Sequence, residues 1–155
     1  MELNTRGRYA VMAMADLAKN GGETAVSLPA VADRQGISLA YLEQLFVLLR
    51  RKGIVESIRG RSGGYRLTRP AAEITIAEIM LAVGEPVEMT RCAVKDFGGC
   101  VHNAKCLTHD LWRALGNHIV DFLEHVSLQD VLDGVPTSPS VTARIVEAHP
   151  EARAE

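Results

Sequence analysis

Apolar residues in the first half of the chain recur at helical spacing, in short stretches divided by glycines. Over residues 8–19, Val11, Met14, Leu17 and Ala18 share one helical face, and Gly21-Gly22 ends the helix. Ser27 is placed to cap a second, short helix, LPAVADRQ, which Gly36 stops. Pro29 falls in its first turn, where a missing N–H does no harm. Ser38 can cap a third helix, LAYLEQLFVLLRRK. There Leu42, Leu45, Phe46 and Leu49 sit at i, i+3, i+4 and i+7, a stripe to be buried, and Gly53 closes it. Two helices joined by a tight turn at Gly36 predict a helix-turn-helix.

The period then changes. IVESIR and YRLT read as short strands around the glycine-rich turn GRSGG, and Pro70 ends the second. A basic hairpin directly after a helix-turn-helix predicts a winged helix. Thr75 opens a capping box with Glu78 for a helix carrying Ile76, Ile79, Met80 and Val83. Gly84 and Pro86 begin a loop of about 20 residues, a length that is usually functional or disordered. From Leu107 a long helix follows. Its stripe of Leu111, Leu115, His118, Phe122 and Val126, flanked by Ile119 and Leu123, is close to heptad spacing and needs a partner face. Ser127 caps a further short helix, and from Gly134 the chain turns to Gly, Pro, Ser and Thr.

The expected fold is mostly α with a small β-hairpin wing: a winged helix-turn-helix plus a long C-terminal dimerisation helix. The expected organisation is a DNA-binding domain over residues 1–83 and a metal-binding loop over 84–106. A dimerisation helix with its short successor spans 107–133, and 134–155 form a flexible tail.

Composition sets bounds on this picture. At 155 residues and 47% apolar, the chain makes one domain with an appendage and has enough apolar material for a core. No apolar run approaches the roughly 20 residues of a membrane span, and Asp16 and Lys19 break any signal-peptide pattern. A cytoplasmic protein with no membrane partner is expected. The net charge of −2 hides an asymmetry: residues 1–70 hold 11 Lys/Arg against 6 Asp/Glu, and residues 71–155 hold 6 against 13. Arg50, Arg51, Lys52, Arg59, Arg61, Arg66 and Arg69 concentrate within twenty positions, with Glu56 alone among them. A charge run by itself is more often a solvated face. Set on a winged helix, it points to double-stranded DNA.

The third helix would then be the recognition helix. With its apolar stripe buried, it offers Ser38, Ala40, Tyr41, Glu43 and Gln44 to the major groove. Gln can read adenine in a bidentate way, and Arg50 and Arg51 at the helix end suit phosphates. Gly60 and Arg61 belong to the glycine-rich wing turn, and Arg59, at the wing base, would enter the minor groove. Glu43 is the odd member, because a carboxylate facing DNA is repulsive unless it meets a cytosine amino group.

The remaining chemistry lies in RCAVKDFGGCVHNAKCLTHDLW. Cys92, Cys100 and Cys106 are all the cysteines of the chain, and His109 follows the last by three positions. Three thiols and an imidazole select zinc, Cu(I) or iron–sulfur clusters over hard cations. An odd number of cysteines in a reducing compartment argues against a disulfide framework. The spacing is near that of CCCH zinc fingers, but the winged-helix context lowers that reading. His102 is a competing ligand. No phosphate loop, HExxH or GxSxG is present, and an enzyme is not expected.

The strings RGRYAVMAMADLA, RQGISLAYLEQLF, RGRSGGYRL and RCAV…GGC…KCLTHDLW together resemble the IscR group of iron–sulfur cluster regulators and their nitric-oxide- and iron-sensing relatives, over residues 1–133. The resemblance implies a homodimeric repressor and activator that controls iron–sulfur cluster biogenesis genes from palindromic operators. Competition with RNA polymerase, or contact to it, would transmit the signal at promoters. It also implies a 2Fe-2S cluster on Cys92, Cys100, Cys106 and His109. The apolar stripe of the long helix puts the dimer contacts at Leu111, Leu115, His118, Ile119, Phe122 and Val126. The equivalent of Glu43 in that group discriminates between operator classes. The chain departs from familiar members in having seven residues, not five, between Cys92 and Cys100, in Ala40 where they have Ser, and in Arg61-Ser62 where they have Pro-Gly. The first leaves the cluster type open, and the others bear on the operator sequence. Alternatives from other classes are a zinc-stabilised DNA-binding protein without sensing and an electron carrier, on which a winged helix would be wasted.

Overall fold

One helix gathers the rest of the chain around it. In the computed structural model, which describes residues 5–22, 24–85 and 105–134, α1 (Thr5–Gly21) packs against four other helices and the second strand of the hairpin. Small residues allow this. Ala10 and Ala13 are fully buried beside Met14 and Leu17, and a Cβ added at Gly7 would sit 3.1 Å from the Met80 side chain. The buried face of α1 is therefore built on alanines as much as on the larger residues of the expected stripe. Val11 and Ala18 are half-buried at its margins.

The helix-turn-helix follows as expected, α2 (Leu28–Gln35) and α3 (Leu39–Arg51). Gly36 adopts φ 63°, in the left-handed region that favours glycine, and its N–H donates to the Ala32 carbonyl. Ile37 is buried within the turn. The Ser38 hydroxyl accepts from the Tyr41 N–H and caps α3. Ser27 holds the cap position of α2 but makes no side-chain cap bond. Pro29 in the first turn has already removed one donor that a cap would serve. Leu42, Leu45, Phe46 and Leu49 are no more than 1% exposed.

The wing is an antiparallel pair, β1 (Val55–Ile58) and β2 (Gly64–Leu67), in register Val55↔Leu67 through Ile58↔Gly64. A third segment joins it: Val26 and Tyr65 exchange N–H···O bonds of 2.9 and 2.8 Å. That close approach requires Gly64, where an added Cβ would lie 2.3 Å from the Val26 carbonyl oxygen. Gly63 is similarly crowded by the Ile58 oxygen at 2.6 Å. These two glycines answer to the protein's own backbone. Tyr65 packs edge-on against Phe46, ring centroids 4.9 Å apart, and fastens the wing to α3.

A short 3-10 turn (Ala71–Glu73) leads into α4 (Ile76–Ala82), whose Thr75 hydroxyl accepts from the Glu78 N–H. The expected capping box is half formed, because the Glu78 carboxylate is engaged by Arg69 instead. After α5 (His109–His125) the chain returns to the core. Leu128 N–H donates to the Ile74 carbonyl at 2.8 Å, and Ile76 N–H to the Val126 carbonyl at 3.0 Å. Ser127 and Asp130 form a complete capping box at the start of α6 (Leu128–Leu132). Val126 and Leu128 are buried. No helix among the described residues is long and apolar enough to cross a membrane. Residues 135–155 lie outside those described, so the expected tail does too.

Candidate functional site

The face of α3 opposite its buried stripe is open. Ser38, Ala40, Glu43, Gln44, Arg50 and Arg51 are exposed. Tyr41 is half-buried, its ring set edge-on to Tyr9 of α1 at 6.0 Å. Arg59, Gly60 and Arg61 are exposed at the wing tip. Gly60 has φ 118°, a conformation that side chains resist. The Arg50 guanidinium comes within 3.5 Å of the Ser57 hydroxyl, linking the end of α3 to the wing.

Not every arginine of the basic stretch faces outward for a partner. Arg66 is paired with Glu56 at 2.6 Å across the two strands. Arg69 is paired with Glu78 and also donates to the Glu73 carbonyl at 3.0 Å. These half-exposed pairs contribute little stability, but they fix where the hairpin leaves and rejoins the core.

Sequence reasoning missed the network that holds the helix-turn-helix in place. Asp16, noted in the sequence only as breaking a signal-peptide pattern, has a side chain only 2% exposed. Arg34 grips it with Nη2 at 2.6 Å and Nε at 3.0 Å, and Gln35 Nε2 donates at 2.8 Å. Burial on its own would raise the Asp16 pKa. The hydrogen bonds from Arg34 and Gln35 and the Arg34 charge together outweigh it, so the carboxyl is held below its ordinary value. Asp16 also raises the Arg34 pKa by hydrogen bonding. The available signal was a carboxylate beside Leu17 on an apolar face, which must be paired if it is buried.

Cys106 and His109 are both half-buried at the start of α5. They flank a single turn, closed by the His109 N–H donating to the Cys106 carbonyl at 3.0 Å. Thr108 Oγ1 lies 3.6 Å from Cys106 Sγ and 3.2 Å from Trp112 Nε1. Cys92, Cys100 and the competing His102 lie outside the described residues. Among the described residues no group of three or more His, Cys, Asp or Glu could hold a metal ion.

Beyond this turn the outward face of α5 is apolar. Leu111 is 60% exposed, Trp112 41% and Leu115 40%. His118 is exposed, Ile119 and Phe122 are half-buried, and Val126 is 2% exposed within the chain's own core. The expected stripe thus runs from solvent at one end to the interior at the other.

Comparison with known proteins gives this arrangement a lineage. The family described as "Rrf2: Iron-dependent Transcriptional regulator" matches residues 3–134. The chain belongs to the Rrf2 family. An HTH-type transcriptional regulator of Neisseria meningitidis is 52% identical over 133 residues, 86% of this chain and 88% of its own. The HTH-type transcriptional regulator IscR of Cronobacter sakazakii is 44% identical over 155 residues, covering all of this chain and 94% of its own. Among solved structures, CymR, the global cysteine regulator of B. subtilis, aligns with a TM-score of 0.73 at 30% identity, over 87% of this chain and 98% of its own. The protein is an IscR-type transcriptional regulator of the Rrf2 family with a DNA-binding winged helix, and not an enzyme.

Proposed function

We propose that this Rrf2 regulator senses iron–sulfur status through a 2Fe-2S cluster held by Cys92, Cys100, Cys106 and His109. It controls iron–sulfur cluster biogenesis genes in the cytoplasm. The fold alone does not choose this effector, since CymR, a global cysteine regulator, has the same architecture. The observation that carries the reading is the turn Cys106–His109, which places a cysteine and a histidine at the two ends of one hydrogen-bonded turn at the head of the helix. With the only two other cysteines of the chain one loop upstream, the donor set is soft and of the right number. A bound cluster would supply a group whose presence reports the supply of clusters. A histidine ligand brings a neutral imidazole where a fourth cysteine would bring a charged thiolate, so it anchors a cluster more weakly, as a sensor requires.

In this reading residues 1–83 bind DNA, 84–106 carry ligands, 107–133 form the dimer helix with its short successor, and 134–155 are a tail. Two chains pair through the face of Leu111, Leu115 and His118, with Ile119 and Phe122 at its edge. Val126, buried in its own chain, supports the helix from behind. The pair places two α3 helices on a palindromic operator with half-sites spaced by about one helical turn, roughly 10 bp, or a multiple of it. Gln44 and Glu43 face base edges there, Arg50 and Arg51 meet phosphates, and Arg59 enters the minor groove. Promoter occupancy then competes with RNA polymerase or contacts it.

The test is an absorption spectrum of anaerobically purified protein with iron and sulfide analysis. A red-brown protein with equal iron and sulfide is expected, and its colour should vanish in C92A, C100A and C106A variants. A colourless protein with bound zinc would replace this reading with a zinc-stabilised regulator. A stable chromophore in C100A would promote His102 to ligand.

A further inference from the structure

Thr108 stands at the residue preceding α5, where a threonine hydroxyl ordinarily accepts from a backbone N–H of the first turn. It makes no such bond, and its backbone at φ −101°, ψ 8° lacks the extended geometry of a cap. The hydroxyl is committed elsewhere. Its oxygen lies 3.2 Å from the Trp112 indole nitrogen and 3.6 Å from the Cys106 sulfur, the latter an ordinary hydrogen-bond distance for an atom as large as sulfur. The spacing of four residues places Thr108 and Trp112 on one face of the helix, and the Trp112 backbone N–H donates to the Thr108 carbonyl at 3.2 Å.

Donor accounting fixes the direction of this relay. An indole N–H can only donate, so Trp112 gives its hydrogen to Thr108 Oγ1. The hydroxyl retains one hydrogen of its own. A cysteine that ligates a metal has lost its proton, so between Cys106 and Thr108 only the hydroxyl can then be the donor. The indole N–H, by polarising the hydroxyl, strengthens that bond.

We propose that Thr108 and Trp112 are positioning residues for the Cys106 thiolate, and that their relay tunes the reduction potential of the group that Cys106 holds. This rests on the iron–sulfur reading above. Reduction adds an electron, and part of its charge falls on the ligating sulfurs. An O–H aimed at a sulfur stabilises the reduced form more than the oxidised form and raises the potential. The relay also explains why Trp112, a large apolar residue, stands 41% exposed beside the candidate site. One edge of its ring is engaged by Thr108.

The experiment is a redox titration of anaerobically purified full-length protein, followed by visible absorption, on wild type, T108V, T108S and W112F. T108V keeps the shape and removes the hydroxyl. It should lower the midpoint potential with iron and sulfide content unchanged, and T108S should restore the wild-type value. W112F, which keeps the ring and loses the N–H, should shift it the same way by less. Resonance Raman spectra in D₂O give a second readout: the iron–sulfur stretching bands should shift on exchange in wild type and not in T108V. An intact T108V cluster at the wild-type potential overturns the proposal, as does a T108S protein that behaves like T108V. If T108V holds no cluster, W112F decides, and an unmoved potential there overturns it. A wild-type protein without iron and sulfide removes the iron–sulfur reading itself and this inference with it, an outcome distinct from all the others.

Discussion

Helices α3 and α5 carry nearly the same sequence pattern and meet opposite fates. Both place large apolar residues at spacings of three and four. In α3 that stripe is sealed, with Leu42, Leu45, Phe46 and Leu49 at most 1% exposed. In α5 the corresponding face begins in water, with Leu111 and Leu115 at 60% and 40%. A hydrophobic stripe therefore says that a face will be covered, and is silent on what covers it. For α3 the cover is α1, α2 and the wing strands of the same chain, brought close by Gly36, Gly64 and the alanines of α1. For α5 the described residues of the same chain cover the C-terminal end, where Phe122 and Val126 approach the core.

The sharpest way to break this comparison is to truncate one residue from each helix. Phe46→Ala removes a fully buried ring that also braces Tyr65, and should cost about 3–5 kcal/mol of folding stability. Leu115→Ala, on an exposed face, should change the stability of the isolated chain by no more than about 0.5 kcal/mol. Denaturant titration of both variants checks the pair. If the proposed dimer exists, Leu115→Asp should instead yield monomers by light scattering while far-UV circular dichroism stays unchanged. A dimer that survives Leu115→Asp would place the interface elsewhere.

A second contrast concerns polar groups. Asp16 is buried and gripped, whereas the arginine pairs of the wing are half-exposed. Asp16→Asn should lower stability by about 2 kcal/mol, since Arg34 stays partly hydrated and limits the loss. Glu56→Gln, at the exposed wing pair, should cost no more than about 1 kcal/mol. The pH dependence follows from the sign of the shift. The folded-state pKa of Asp16 is depressed, so its contribution is fully present above the ordinary carboxylate value of about 3.9 and is lost as pH falls through the lower folded value. Acid unfolding curves of wild type and Asp16→Asn should therefore converge at low pH and separate above it. Parallel curves throughout would remove the Asp16 linkage.

How far the sequence could be read depended on how local the cause was. The α3 stripe, the Ser38 cap and the Gly36 turn are set within a few residues, and they were legible. Asp16 was not, because its partners Arg34 and Gln35 lie on another helix. The wing glycines were legible as a turn but not in their purpose. Gly63 and Gly64 are demanded by the approach of Ile58 and Val26, a tertiary fact. Val126 belonged to the near-heptad pattern of α5, yet the chain leaves the helix there in extended geometry and hydrogen-bonds with α4, which pattern alone does not foretell. At the site, the outward positions of α3 followed as the complement of its buried stripe, and the cysteines and His109 stood out by composition. The Thr108 relay did not, because it depends on which way a hydroxyl turns.

Between the two exposed regions proposed to face DNA, the wing and α3, the wing should give the larger change in affinity. Arg59→Ala removes a charge from a tip where Gly60 allows close approach, and should weaken specific binding by about 1–3 kcal/mol. The effect should be similar across operators that share groove shape. Titration at fixed salt is needed, because phosphate contacts make affinity depend on ionic strength. An Arg59→Ala protein with wild-type affinity on every site would take the wing out of the interface.

The smallest expected change, and the most specific, belongs to Glu43. It is exposed on α3 one position before Gln44, facing where base edges would lie. A carboxylate entering the major groove must shed water near an anionic backbone, and it recovers that cost only where a cytosine amino group donates to it. Glu43 should therefore act as a filter: nearly neutral at matched operators and repulsive elsewhere. Glu43→Ala would leave affinity for a matched operator within about 0.5 kcal/mol of wild type and tighten binding to a mismatched one by about 1 kcal/mol. Protein without its cluster should gain most, because it has no other means to offset the repulsion. Wild type and Glu43→Ala would be titrated on two operators, each protein with and without cluster, and the ratio of affinities compared. A ratio that is unchanged in both states would make Glu43 an ordinary surface carboxylate and leave discrimination to Gln44 and the wing.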